Sequence, residues 1–566
     1  MSKKWFENPV VWISVLAVVV FGAIFGVITL TQTWGKSKDE VNTENALKTL
    51  NRLYNSLDVK TLPLRKENVD LSAGNLTNSL PDIANYPLQV TQTTPDFIEI
   101  FSSPEKAGTS YESWLIDVAD KFNQSGVQVD GRPVSVAVRN VSSGLGVDYI
   151  ASGKYEPDVF APSTELWGDM LTYLGKKVVL ADKSIAGNVA GIVLSRQKHD
   201  EIVRNYGSVN SKTVVEAVLG GELVMGYTNP FVSSTGLNFL LTTLYTLDSG
   251  NPLSDGAIAR LQQFQDNIPY VAYNTMQMKE SAMGGSLDGF VLEYQTFANS
   301  PDLKTSYVFT PFGVRHDQPV YEVGDLSETK KETLRRFIDF CKTQEMQKLA
   351  GDKGFNGLAD YISELPAFDG ATIAQAQQIW KKEKHGSSEL IAVFVADVSG
   401  SMDGDRLLRL KESLESAAKT ILPETSVGLV TFSDKVNIAV PVAKFDLNQR
   451  AYFTGAIKDM RAAGGTAMFD AIIVGAKMLT DAQEQAQSPN SKLMLFVLTD
   501  GDTNTGHSLR DVEAMLKALK MPIYTIGYEA NVSVLENVSR INEATSINAD
   551  MEDVVYKMES LFNAQM

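Results

Sequence analysis

Four short apolar runs limit what the last third of this chain can fold into. "LIAVFVA", "VGLVTFS", "KLMLFVLTDG" and "MPIYTIGYE" are each about one strand long, and none alternates polar with apolar. A strand that is apolar on both faces is buried on both, as in a parallel sheet with helices above and below. Helical patterns separate the runs. "DRLLRLKESLESAAKTIL" sets Leu407, Leu410, Leu414, Ala417 and Ile421 on one face, "AMFDAIIVGAKML" begins another helix, and "DMEDVVYKMESLFNAQ" reads as a closing one. Residues 390–566 therefore read as a doubly wound, Rossmann-like α/β unit.

The first run ends abruptly in Asp397-Val398-Ser399-Gly400-Ser401. Loops at the carboxyl ends of such strands line the ligand crevice. One carboxylate and two hydroxyls at alternate positions can turn the same way in that loop. Thr466 follows two glycines in "AAGGTAMFD", where the backbone can approach closely. Asp500 ends the run "FVLTDG". Two carboxylates and three hydroxyls on three loops form a hard, all-oxygen ligand set. It suits Mg²⁺, or another divalent cation such as Mn²⁺ or Ca²⁺, and leaves room for water and one incoming carboxylate. The plainer reading is a set of turn-forming Ser and Asp residues at strand ends.

These residues resemble the von Willebrand factor type A family. Asp397, Ser399 and Ser401 match its D-x-S-x-S motif, Thr466 its second-loop threonine, and Asp500 its third-loop aspartate. The resemblance implies a complete metal-ion-dependent adhesion site that binds an acidic residue of a protein partner. Asp470, on the helix turn after Thr466, is placed to support that site. Asp403, Asp434 and Asp502 read as solvated loop charges.

Upstream, residues 95–378 also alternate strand and helix patterns. "FIEIFSS", "PVSVAVRNVSSG" and "PDVFAPST" are strands that end in hydroxyls: Ser102 and Ser103, Ser142 and Ser143, Ser163 and Thr164. One such pair is an ordinary turn; three in succession point to a crevice. The stretches "SSGLGVDYIASGKYEPDVFAPSTELW", "GYTNPFVSSTGLNFLLTTLY" and "FIDFCKTQEMQKLAGDKGF" resemble bacterial extracellular solute-binding proteins, with two lobes and a hinge. The resemblance implies that Ser102, Ser103, Ser142, Ser143, Ser163, Ser233, Ser234 and Thr235 face an interlobe cleft, with Tyr294 a further ligand contact. Hydroxyls and helix amino termini there suit a small solute or an oxyanion. The alternative is a retained fold with a blunted pocket.

The amino terminus is of another kind. Val10 to Thr31 contains no charge and is long enough to cross a bilayer. Lys3 and Lys4 lie before it, Lys36 and Lys38 after it. The reading is a single-pass membrane helix over 10–31, with the tail 1–9 inside and the rest facing outward. A cleaved signal peptide is the alternative, although no small-residue cleavage pattern follows. Residues 32–94 read as a linker with one helix, in which Leu47, Leu50, Leu53 and Tyr54 are spaced as one face. Residues 379–389, "WKKEKHGSSE" with its flanks, read as a second, flexible linker. This chain order puts the solute-binding-like unit nearest the membrane and the type A unit beyond it.

The net charge of −17 argues against nucleic acid as a partner. The lone Cys341 excludes an internal disulfide and sits on an amphipathic helix pattern. The four histidines form no metal or nucleophile motif, and no G-x-S-x-G or phosphate-binding loop occurs, so the expected class is binding rather than catalysis. The main expectation is a membrane-anchored adhesion protein. The alternative is a cell-surface solute receptor with the type A unit as a docking module. A third joins them, with lobe closure altering how the type A unit is displayed, but the linker as read is too flexible to transmit it.

Overall fold

The computed structural model describes residues 38–69, 80–272 and 287–549, apart from 364, 385, 387, 487–490, 502, 529–531 and 540–545; within 273–286 it describes 275, 278 and 279. The apolar stretch 10–31 and the expected closing helix lie outside the described residues. Among those described, no helix is long and apolar enough to cross a membrane.

The first described residues belong, unexpectedly, to the carboxy-terminal domain. Helix α1 (Lys38–Tyr54) buries Ala46, Leu50 and Leu53, and strand β1 (Val59–Thr61) follows. Then come two lobes. Strands β2 (Leu88–Val90), β3 (Asp96–Ser102), β5 (Arg132–Asn140), β6 (Val159–Ala161) and β7 (Val178–Asp182) build the first, with β4 (Gln128–Val129) beside β5. Strands β8 (Val189–Ser195), β9 (Met225–Thr228), β10 (Tyr270–Ala272), β11 (Gly289–Glu293) and β12 (Tyr307–Arg315) build the second, and β13 (Val320–Val323) returns to the first. The chain thus crosses between lobes at 183–188 and again at 316–319. Four helices matter below: α2 (Pro104–Ala107), α3 (Ser143–Ser152), α4 (Ser234–Leu247) and α5 (Asp255–Asp266).

Helix α6 (Gly370–Glu383) corrects the expected second linker. It runs past residue 379 with Trp380 fully buried, whose Nε1 donates to Tyr227 Oη at 2.5 Å. The "WKK" segment reads as linker because its lysines mask the buried face that Ile373, Ala376 and Trp380 share. Few residues then separate the second lobe from the next sheet.

That sheet contains β14 (Leu390–Asp397), β15 (Ser426–Phe432), β16 (Val436–Lys444), β17 (Lys492–Thr499), β18 (Ile523–Tyr528) and β19 (Ser546–Ala549). Its order is β1-β16-β15-β14-β17-β18-β19, so β1 supplies one edge, parallel to β16. One face is covered by α7 (Asp405–Thr420) and α8 (Leu447–Asp459), the other by α9 (Met468–Ala486), α10 (Leu509–Leu519) and α1. Every residue of β14 is buried, as its unbroken apolar run requires. The two-lobed unit is therefore inserted between β1 and β14 of the type A sheet. The expected 32–94 linker is in large part a piece of that sheet's domain, and the segment following the apolar stretch packs there, not on the two-lobed unit.

Between β1 and the first lobe, the chain lies across α8. Gly455 makes this possible: a Cβ there would stand 2.1 Å from Arg65 O. Glu67 N donates to Ala451 O at 3.0 Å, and the Lys66 ammonium lies over the Tyr452 ring. A second tie joins the units directly. Lys492 Nζ donates to Gln265 O at 2.8 Å, at the carboxyl end of α5, where a cation is favoured.

Candidate functional site

β14 delivers Asp397, with no solvent exposure, to the carboxyl edge of the sheet. Its Oδ1 accepts from Ser399 N at 2.8 Å and its Oδ2 from Thr499 Oγ1 at 2.5 Å. Burial pushes its pKa up and nearby Asp500 adds to this, against the bonds from Thr499 and Ser399. Ser399 Oγ and Ser401 Oγ are hydrogen-bonded to each other at 3.0 Å.

The second loop is fastened to the first: Gly400 N donates to Gly464 O at 3.0 Å, and Ala463 N to Val398 O at 2.9 Å. Gly464 has φ +84°, and a Cβ on it would meet Asp434 Oδ1 at 2.4 Å, so only glycine serves. The third loop is fastened to the second through Thr466. Its N–H donates to Asn504 Oδ1 at 2.9 Å; its carbonyl accepts from Asn504 N at 3.0 Å and Thr503 Oγ1 at 2.8 Å. Asp470 braces the same loop, accepting from His507 N at 2.9 Å and contacting His507 Nδ1 at 2.6 Å. The loops thus bring Asp397, Ser399, Ser401, Thr466 and Asp500 to one place. Asp502 lies outside the described residues.

This donor set fits a hard divalent cation. A buried carboxylate beside a second one is disfavoured as an anion, and a cation offsets both charges. At present the positive neighbour is Arg406, whose Nη1 donates to Asp500 Oδ2 at 3.2 Å and to Ser401 O at 2.9 Å. Sequence reasoning passed over Arg406, Asn504 and His507, since none belongs to the motif.

The two-lobed unit gathers its predicted hydroxyls as well. Ser102, Ser103, Ser143, Ser163, Ser233, Ser234 and Thr235 are all buried, and Ser142 stands just before α3 without a side-chain capping bond. Across the lobes, Ser234 Oγ donates to Ser143 Oγ at 3.3 Å and accepts from Trp167 Nε1 at 2.8 Å. Gly144 N donates to Val232 O at 3.3 Å, and a Cβ on Gly144 would lie 2.0 Å from Phe231 O. The lobes therefore meet directly. Among the described residues, three buried polar atoms here have no partner: Ser102 Oγ, Ser142 Oγ and Asn229 Nδ2. Tyr294 is not part of this cluster. Its ring packs on Gly357 and edge-on against Phe309.

The residue before it is. Glu293 Oε1 accepts from Thr235 Oγ1 at 3.2 Å and meets His316 Nδ1 at 3.0 Å, while its Oε2 accepts from Asn188 Nδ2. Asn188 and His316 belong to the two crossings between lobes, so Glu293 ties both to α4. Glu105 and Lys106 of α2 complete the cluster. Charged side chains inside a hydroxyl-lined cleft had no signal in the sequence beyond the adjacency of "SSPEK".

Fold and sites together define an α/β protein with a crevice of carboxylate and hydroxyl oxygens at one sheet edge and a two-lobed unit inserted ahead of that sheet. More particularly, the chain carries a von Willebrand factor type A domain, matched over residues 392–565, and a bacterial extracellular solute-binding protein domain, matched over 107–356. The inter-alpha-trypsin inhibitor heavy chain H3 of Mesocricetus auratus is 31% identical over 182 residues, 28% of this chain and 20% of that one. The chain thus spans about a fifth of the length of that curated relative. Among solved structures, a von Willebrand factor type A protein from Catenulispora acidiphila covers 31% of this chain and 42% of its own at 21% identity and a TM-score of 0.27. The sulfate-binding protein SubI of Mycobacterium tuberculosis covers 46% and 87% at 18% identity and a TM-score of 0.34. The two domain matches support a binding role.

Proposed function

We propose that this chain is a membrane-anchored, outward-facing binding protein. Its type A domain would hold a divalent cation, Mg²⁺ foremost, and with it capture an acidic side chain of a protein partner. The reading rests on the fastening of three loops around Asp397, Ser399, Ser401, Thr466 and Asp500. These five residues would hold the cation, which would supply a positive centre open to one outside carboxylate.

The chain's own residues perform the positioning. Ser399 N and Thr499 Oγ1 fix the two oxygens of Asp397. Thr503 and Asn504 fix the Thr466 backbone, and Asp470 holds the third loop through His507. No role in catalysis is proposed for any of them. The apolar stretch 10–31 would anchor the chain, with α1 carrying the type A domain close behind it.

The test is calorimetric titration of Mg²⁺ into the whole chain, wild type beside Asp397→Ala, with circular dichroism on both. The expected result is binding that the substitution removes while the fold persists. Equal Mg²⁺ binding by the two proteins would sink the reading. A carboxy-terminal fragment is the wrong sample, because it lacks α1 and β1.

A further inference from the structure

We propose that the interlobe cleft is an alkylammonium site which the chain fills with its own Lys106, so that the two-lobed domain stands closed without any solute. Lys106 projects from α2, at the carboxyl end of β3, and its side chain has no solvent exposure. Its Nζ lies 2.5 Å from Ser103 Oγ, 2.8 Å from Gln318 Oε1, 3.4 Å from Pro162 O and 3.5 Å from Glu105 Oε1. An ammonium has three donors and no acceptor. Here every neighbour is an oxygen placed to accept.

The surrounding protons are arranged to match. Ser103 donates its hydroxyl proton to Glu105, which leaves its lone pairs facing Lys106. Ser163 Oγ donates to the same Glu105 oxygen at 2.7 Å. Burial works against the Glu105 carboxylate, but the Lys106 charge and these two hydroxyls outweigh it and hold its pKa below the ordinary range. Burial likewise draws the Lys106 pKa down, against the pull of Glu105 and, more weakly, of Glu293 in the second lobe. A buried ammonium without such partners is strongly disfavoured.

The ammonium also bridges parts that must move relative to each other. Ser103, Glu105 and Pro162 belong to the first lobe, whereas Gln318 lies in the crossing at 316–319. Gln318 Nε2 donates in turn to His316 O at 3.0 Å, and His316 meets Glu293. Lys106 therefore sits at the base of the hinge, in line with the carboxylate that ties both crossings to α4. Above it the lobes touch at Ser143–Ser234 and Gly144–Val232. A solute of this cleft would have to bring the same chemistry, a primary ammonium on a short alkyl chain, and displace the tethered one.

The charge of the cleft points the same way. Burial, with the Glu105 and Glu293 carboxylates adding to it and Lys279 opposing, raises the pKa of Glu112 to about 7. An oxyanion would enter against them. The partnerless Ser102 Oγ, Ser142 Oγ and Asn229 Nδ2 define the competing outcome, a neutral or anionic guest.

The test is thermal unfolding of the full chain with propylammonium, propanol, propionate, sulfate or molybdate at millimolar concentration. Propylammonium replaces the atoms that Lys106→Ala removes. Wild type is expected to shift with none of them. Lys106→Ala is expected to lose several degrees and to regain most of the loss with propylammonium alone. Lys106→Met, which fills the space without the charge, is expected not to respond. Stabilisation of wild type by an oxyanion or an amine overturns the proposal. So does Lys106→Ala that is as stable as wild type or recovers equally with propanol, and so does recovery of Lys106→Met with the amine. Should Lys106→Ala not fold at all, the wild-type series still decides. These outcomes are independent of Mg²⁺ binding by the type A domain.

Discussion

The Lys66 ammonium donates to Asn448 Oδ1 at 2.7 Å, across 382 residues of chain. Between those two residues lies the whole solute-binding-like domain. The pair marks where the leading segment is strapped over α8, next to the sheet edge that β1 completes.

Leu50 on α1 should therefore behave as a core residue of a domain that lies mostly beyond residue 390. It is fully buried against α9 and α10. Leu50→Ala is expected to cost about 2–4 kcal/mol, read in denaturant unfolding as a loss in the type A transition alone. A loss confined to the other transition would contradict the shared core.

Arg406 competes for Asp500. Its guanidinium forms an ion pair with that carboxylate at 3.2 Å and is a third exposed. Arg406→Gln is expected to raise Mg²⁺ affinity roughly three- to tenfold, about 1 kcal/mol for a partly screened charge. Calorimetry on the full chain reads it; weaker binding would mean that Arg406 supports the site.

Glu112 gives the two-lobed domain a pH dependence. Burial, with Glu105 and Glu293 adding to it and Lys279 opposing, raises its pKa from 4.5 to about 7. The folded state then holds a proton that the unfolded state has lost, so stability falls as pH rises from 4.5 to 7. Glu112→Gln is expected to flatten this fall, by roughly 1–2 kcal/mol after solvent screening. Parallel denaturation series on the two proteins measure the difference.

Lys492 has the opposite sign. Burial lowers its pKa from 10.5 to about 8, with Asp266 pulling it back. The folded state binds fewer protons than the unfolded one between these values, so this residue makes stability rise from pH 8 to 10.5. Lys492→Met is expected to remove that part of the rise. An unchanged slope would place the ammonium in water rather than against Gln265 O.

Much of the type A site was legible in the sequence because its motif is local. A strand fully buried by its composition must stop at a fixed edge, and Asp397, Ser399 and Ser401 follow that edge directly. Asp500 was findable for the same reason, and Thr466 from the two glycines before it. The role of α1 was not, since its apolar spacing announces a helix but not its partner. Val59–Thr61 is too short to read as a strand at all. The first-lobe hydroxyls were found from strand ends and Ser233, Ser234 and Thr235 from the resemblance, while Tyr294 was misplaced by one position: the inward residue at the end of β11 is Glu293. Lys106 and His316 escaped because long-range partners, not neighbours in sequence, decide whether a charged side chain is buried. Trp380 was assigned to a linker since two lysines follow it directly.

The insertion between β1 and β14 also sets an order of events during synthesis. A ribosome adds roughly 5–20 residues per second, so about 20–80 s pass between the emergence of Lys66 and that of Asn448. Through that interval α1 has no core to join, and β1 has an unpaired edge. The two-lobed domain, whose own strands and helices are complete by Glu383, can fold first. The nascent chain thus carries an amphipathic helix with an uncovered apolar face, and an open strand, past the two-lobed domain, which is the form in which a chaperone would meet it.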